Sequence, residues 1–67
     1  MNSWDVRTIG GRFIGRYSAA KAEIALQIGL ELRGVTVHAR EIEAKEIEPN
    51  VCELKYRGEV YIATGTR

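Results

Sequence analysis

The spacing of apolar residues changes twice along this chain, and each change marks a boundary between elements. Residues 4–9 and 12–17 mix apolar and polar positions on either side of Gly10-Gly11. Two glycines between such segments predict a hairpin with a two-residue turn, because both central positions accept positive φ without a Cβ clash. That turn sets Ile9 against Arg12, Thr8 against Phe13, Val6 against Gly15 and Trp4 against Tyr17. Trp4, Val6, Thr8, Phe13 and Tyr17 then share the core face. Asp5, Arg7, Ile9, Arg12, Ile14 and Arg16 share the other.

From Ser18 the period lengthens to that of a helix, predicted over 18–34 with Ser18 as N-cap and Gly34 as its left-handed terminator. Ile24, Ile28, Leu32, Ala25, Gly29, Ala22, Leu26 and Leu30 sweep most of the circumference, leaving Glu23, Gln27 and Glu31 as the polar stripe. An apolar arc this wide exceeds what one sheet face covers. A second copy or another protein is therefore expected on the remaining side, with Ala22, Leu26, Gly29 and Leu30 as the oligomer interface. Leu26 and Leu30 are expected nearer to it than Ile24 and Ile28. Ala22, Ala25 and Gly29 form a small-residue patch suited to close approach by a sheet or a helix.

Alternation returns at Val35, Val37 and Ala39, which predicts a strand. Ile42, Ala44 and Ile47 change parity, so 39–48 reads as a bulged strand, with a short helix as the alternative. Pro49-Asn50 signals a turn, and 51–55 with 59–64 form a second hairpin. A three-residue loop of Tyr56, Arg57 and Gly58 opposes Leu54 to Val60, Cys52 to Ile62 and Lys55 to Glu59, which separates apolar from polar faces better than a two-residue loop. The expected fold is thus α+β, a single domain over 1–67 in the order ββαβββ, with one helix packed on one face of an antiparallel sheet.

A chain of 67 residues buries a smaller fraction of its surface than larger domains do, and one core of this size rarely supplies more than about 3–5 kcal/mol. Cys52 is its only cysteine and His38 its only histidine, so neither a disulfide nor a structural zinc is expected, and oligomerisation is the remaining support. The lone thiol and the absence of a secretion-type start point to the cytoplasm. No apolar run reaches the roughly 20 residues of a membrane span. The net charge of +1 conceals segregation. Arg7, Arg12, Arg16 and Lys21 against Asp5 make 1–21 basic, whereas Glu23, Glu31, Glu41, Glu43, Glu46, Glu48 and Glu53 outnumber Arg33, Arg40 and Lys45 in 22–53.

Tyr17 and Lys21, four apart, precede Gly34-Val35-Thr36-Val37-His38-Ala39. This resembles the short-chain dehydrogenases, and the resemblance implies Tyr17 as general acid with Lys21 lowering its pKa. It covers about a third of the chain. A glycine-rich dinucleotide turn and the length for a nucleotide-binding sheet are both missing, so no enzyme, catalytic residue or cofactor is expected. Gly10 and Gly15 have phosphate-loop spacing, but Arg16 and Tyr17 stand where lysine and a hydroxyl residue belong. His38 reads as a strand histidine and Cys52 as a buried apolar residue. Glu41, Glu43, Glu46 and Glu48 lack the spacing of a calcium loop and read as a solvated edge, with no metal expected.

Arg7, Ile9, Arg12, Ile14 and Arg16 remain as the candidate partner-binding face, since arginine beside apolar residues is typical of protein interfaces. The expected function is a small non-enzymatic protein-binding module, an adaptor or inhibitor of the kind found among phage and mobile-element accessory proteins, working as a homodimer or within a complex. The alternatives are an RNA- or DNA-binding domain using Arg7, Arg12 and Arg16, and a structural subunit of an assembly.

Overall fold

The computed structural model describes residues 2–66. Five strands form one antiparallel sheet: β1 (Asn2–Thr8), β2 (Phe13–Ala19), β3 (Glu43–Glu48), β4 (Val51–Tyr56) and β5 (Glu59–Thr66), in the spatial order β2-β1-β5-β4-β3. Helix α1 (Ala22–Glu31) leaves one edge strand, crosses one face of the sheet and delivers the chain to the opposite edge. The ββαβββ order and the one-sided packing are those expected from the sequence.

The core fills the helix side of the sheet. Trp4 and Val6 of β1, Leu54 and Tyr56 of β4, and Tyr61 and Ala63 of β5 pack against Ala22, Ala25, Leu26 and Leu30 of α1, with Val37 and Ile42 closing the far end. Two glycines in the sheet make room for aromatic rings. Trp4 lies over Gly65, where a Cβ would come within 3.0 Å of the indole, and Tyr17 lies over Gly15. Gly29 then rests on the same Tyr17 ring, which a Cβ there would meet at 2.8 Å. The small-residue patch on the helix is therefore a seat for Tyr17 and Ile14 within the chain.

The first hairpin keeps the expected register at Trp4↔Tyr17 and Val6↔Gly15 but reaches it by another route. Its loop has three residues, Ile9, Gly10 and Gly11, closed by the Thr8 amide donating to the Arg12 carbonyl at 2.8 Å, with Gly11 at φ 92°. The Thr8 hydroxyl adds to this closure by accepting from the Arg12 amide at 3.0 Å. A longer loop offsets the register by one residue, and a bulge at Ile14 restores it, since Val6↔Gly15 is followed directly by Arg7↔Phe13. The faces of two side chains exchange in consequence: Ile14 packs on the core and Phe13 stands beside Arg7 on the other side of the sheet.

The helix starts later than expected. Ser18 and Ala19 pair with Ser3 and Asn2 as the end of β2, and the Trp4 indole N–H donates to the Ala19 carbonyl at 3.0 Å. Ladder pairing thus takes Ser18 away from the cap position, and the N-cap is Lys21, in extended conformation and without a side-chain cap. Gly34 ends the helix as expected: at φ 86° it donates to the Glu31 carbonyl, while the Val35 amide reaches back to the Leu30 carbonyl.

No strand forms at 35–40. Val37 is buried, but the backbone here is held by side chains, with Gln27 donating to the Val37 carbonyl at 3.1 Å and the Tyr56 hydroxyl to the Thr36 carbonyl at 3.3 Å. The segment 39–48 combines both readings, a single 3-10 turn at Ala39–Glu41 followed by β3 with Ile47 as the bulged residue. The last hairpin has a two-residue loop in place of the expected three. Arg57 and Gly58 both have positive φ, at 49° and 80°, so the turn is of the I′ kind and sets Tyr56↔Glu59, Lys55↔Val60, Leu54↔Tyr61 and Glu53↔Ile62. Burial explains this choice: it turns Leu54, Tyr56, Tyr61 and Ala63 together toward the helix, and leaves Val60 and Ile62 outside.

Candidate functional site

The sheet face turned away from α1 carries two of the five expected partner-binding residues, Arg7 and Arg16. Alternation places Asp5 and Arg7 of β1, Phe13 and Arg16 of β2, Val60, Ile62 and Thr64 of β5, and Val51, Glu53 and Lys55 of β4 on this face, opposite to the buried partners on each strand. Two rows run straight across all five strands. The first is Phe13, Arg7, Ile62, Glu53 and Lys45; the second is Arg16, Asp5, Thr64, Val51 and Glu48. Phe13, Arg7 and the Arg16–Asp5 pair thus lie toward β2, apolar side chains in the middle, and Glu53, Glu48 and Glu43 with Lys45 and Lys55 toward β3.

Of the expected partner-binding residues, Arg7 and Arg16 lie on this face, and Ile9 and Arg12 lie in and beside the first hairpin loop, with Ile9 66% exposed. Ile14 is separated from them. The bulge that turns it inward leaves its carbonyl accepting from the Tyr17 hydroxyl and from Arg33. Phe13 takes the vacated place, 47% exposed and with the Arg7 guanidinium 5.0 Å from its ring centroid.

Arg16 is engaged by Asp5 through two contacts, Nε to Oδ1 at 2.6 Å and Nη2 to Oδ2 at 3.2 Å. The hydrogen bond from Arg16 holds the Asp5 carboxyl below its ordinary pKa, aided by the charges of Arg16 and Arg7, and the same pair raises the pKa of Arg16. On β4, beside the opposite edge strand, Lys55 approaches Glu53 at 3.8 Å.

The expected oligomer interface is placed elsewhere. Ala22, Leu26, Gly29 and Leu30 are buried against the chain's own sheet, Leu26 completely, whereas Ile24 and Ile28 are half-buried and Leu32 is exposed. The order expected for the two leucines and two isoleucines is therefore reversed. Sheet contact selects the side of α1 that carries the small residues, because they allow the closest approach.

Cys52 is partly buried on the helix side, where desolvation raises its pKa and the charges of Glu46 and Glu23 add to the effect. This makes it a poor nucleophile. A depression of about 280 Å³ lies at the last turn, lined by Glu41, Glu43, Glu59, Lys55, Arg57 and Tyr56 among others, and its charges are mixed. Among the described residues no group of three or more His, Cys, Asp or Glu side chains is arranged to hold a metal ion, and no helix is long and apolar enough to cross a membrane.

Sequence reasoning missed Phe13, Ile62 and Glu53 as members of this face. The usable signal was the parity of Leu54, Tyr56, Tyr61 and Ala63, which form one buried set only with the two-residue turn. Comparison with protein-family models, with curated proteins and with solved structures gives no match for this chain.

Proposed function

We propose that this chain is a non-enzymatic protein-binding module, an adaptor or inhibitor, that works through the helix-free face of its sheet. The observation that carries the reading is the composition of that face: Val60, Ile62 and Val51 form an apolar centre, with Phe13, Arg7 and Arg16 toward one edge and a rim of Glu53, Glu48, Glu43, Lys45 and Lys55 toward the other. Apolar centre and charged rim are the usual anatomy of a protein interface. A polyanion fits less well, since Asp5 already engages Arg16 and half of the face carries Glu53, Glu48 and Glu43. The nucleic-acid reading draws support from one feature, Phe13 stacked beside Arg7, which resembles a base-stacking platform.

Capture from a lysate separates the two. Immobilised wild-type chain is expected to retain a protein that both Phe13→Ala and Ile62→Lys release, while binding to single-stranded RNA or DNA stays negligible at physiological salt. Tight oligonucleotide binding that weakens steeply with salt, and loses about one phosphate contact per arginine removed, would instead establish the second reading.

A further inference from the structure

We propose that the helix-free face binds a second copy of this chain, in a two-fold sandwich whose axis runs along β5. The inference rests on the reading of this face as a protein-binding surface, and it names the partner. Its basis is the order of side chains in the two rows.

In the first row, Arg7 and Glu53 stand one strand to either side of Ile62, and Phe13 and Lys45 stand two strands to either side. A two-fold axis parallel to β5 exchanges left for right while laying one sheet upon the other. Arg7 then falls on Glu53 of the second copy, Phe13 on Lys45, and Ile62 on its own equivalent. In the second row, Arg16 and Glu48 occupy the outer strands about Thr64 and are exchanged by the same operation. The first row is self-complementary about β5, and the second is so at its two ends, with Asp5 falling on Val51 between them. An in-plane axis perpendicular to the strands lays each strand on its own equivalent, so it cannot bring Arg7 of β1 to Glu53 of β4.

The strand directions that this axis requires also suit sheet packing. It keeps the strands of the two layers aligned, as in sandwiches with a separation of about 10 Å and an angle of about 30°. Ile62, Val60 and Val51 would fill the layer between the sheets, and the Arg7–Glu53 pair would be formed twice, as an isologous contact demands. Lys55, now the neighbour of Glu53 at 3.8 Å, leaves its carboxylate free to accept a second cation.

Sedimentation equilibrium from micromolar to millimolar concentration tests this, with circular dichroism confirming that each variant folds. Wild-type chain is expected to dimerise, and Arg7→Glu or Glu53→Arg alone to weaken the dimer about tenfold or more by placing like charges together. An equimolar mixture of the two variants is expected to recover dimerisation, since each heterodimer then holds two opposite-charge pairs.

A wild-type monomer throughout the range, or a mixture no tighter than either variant, overturns the proposal. In the monomer case, a lysate protein released by Ile62→Lys would leave the face a protein-binding surface for a different partner. Salt-sensitive oligonucleotide binding would remove that reading too.

Discussion

Tyr17 is held between two glycines, and this contact fixes how closely the helix approaches the sheet. Its ring covers Gly15 on its own strand and supports Gly29 on α1, where a Cβ would meet ring carbon at 2.8 Å and the Ile14 methyl at 3.2 Å. Gly29→Leu gains about 1 kcal/mol in helix propensity but overpacks this contact, so a net loss of about 1–3 kcal/mol is expected in a denaturant titration. Unchanged stability would mean that the helix does not rest on Tyr17. A second prediction concerns Asp5, whose carboxyl is held below its ordinary pKa of 3.8 by Arg16. A depressed folded-state pKa contributes stability above the unfolded value and loses it as pH falls through the folded one. The difference in stability between wild type and Asp5→Asn should therefore shrink below about pH 4 and stay flat above about pH 5. A difference that grows on acidification would contradict the pairing.

Turns decide which side chains share a face, and they account for what the sequence did and did not make legible. The element order, the Gly34 helix end and the Trp4↔Tyr17 register follow from periodicity and glycine placement. Ser18 looked like a cap because its hydroxyl suits one, but the ladder with Ser3 competes for the same residue and wins. Phe13 and Ile14 exchanged faces because a bulge inserts one residue, and no local signal distinguishes a two-residue turn from a three-residue turn followed by a bulge. Arg57 hid the last turn, since arginine is uncommon at the positive φ of 49° that it adopts. That strain gives a third prediction. Arg57→Asn places a residue tolerant of left-handed backbone beside Gly58, losing only an exposed cation–π contact with Tyr56 at 5.4 Å. Thermal denaturation should show a gain of about 0.5 kcal/mol. A loss would show that the stacking outweighs the strain.

At the scale of the whole molecule, one helix covers one side of a five-stranded sheet and leaves the other side free of it, with Ile62 on the central strand between Arg7 and Glu53. The sequence suggests association as a physical need of a small core and assigns it to α1, whose Leu26 and Leu30 are used within the chain. The proposed dimer meets that need on the opposite face, where Ile62 is central in a self-complementary row. Recording backbone and methyl NMR spectra over a concentration series tests this most directly. Concentration-dependent shifts are expected at Arg7, Phe13, Glu53 and most strongly Ile62, with Ile24, Ile28 and Leu32 on the helix unchanged. Shifts confined to those helix residues, or spectra independent of concentration, would contradict it.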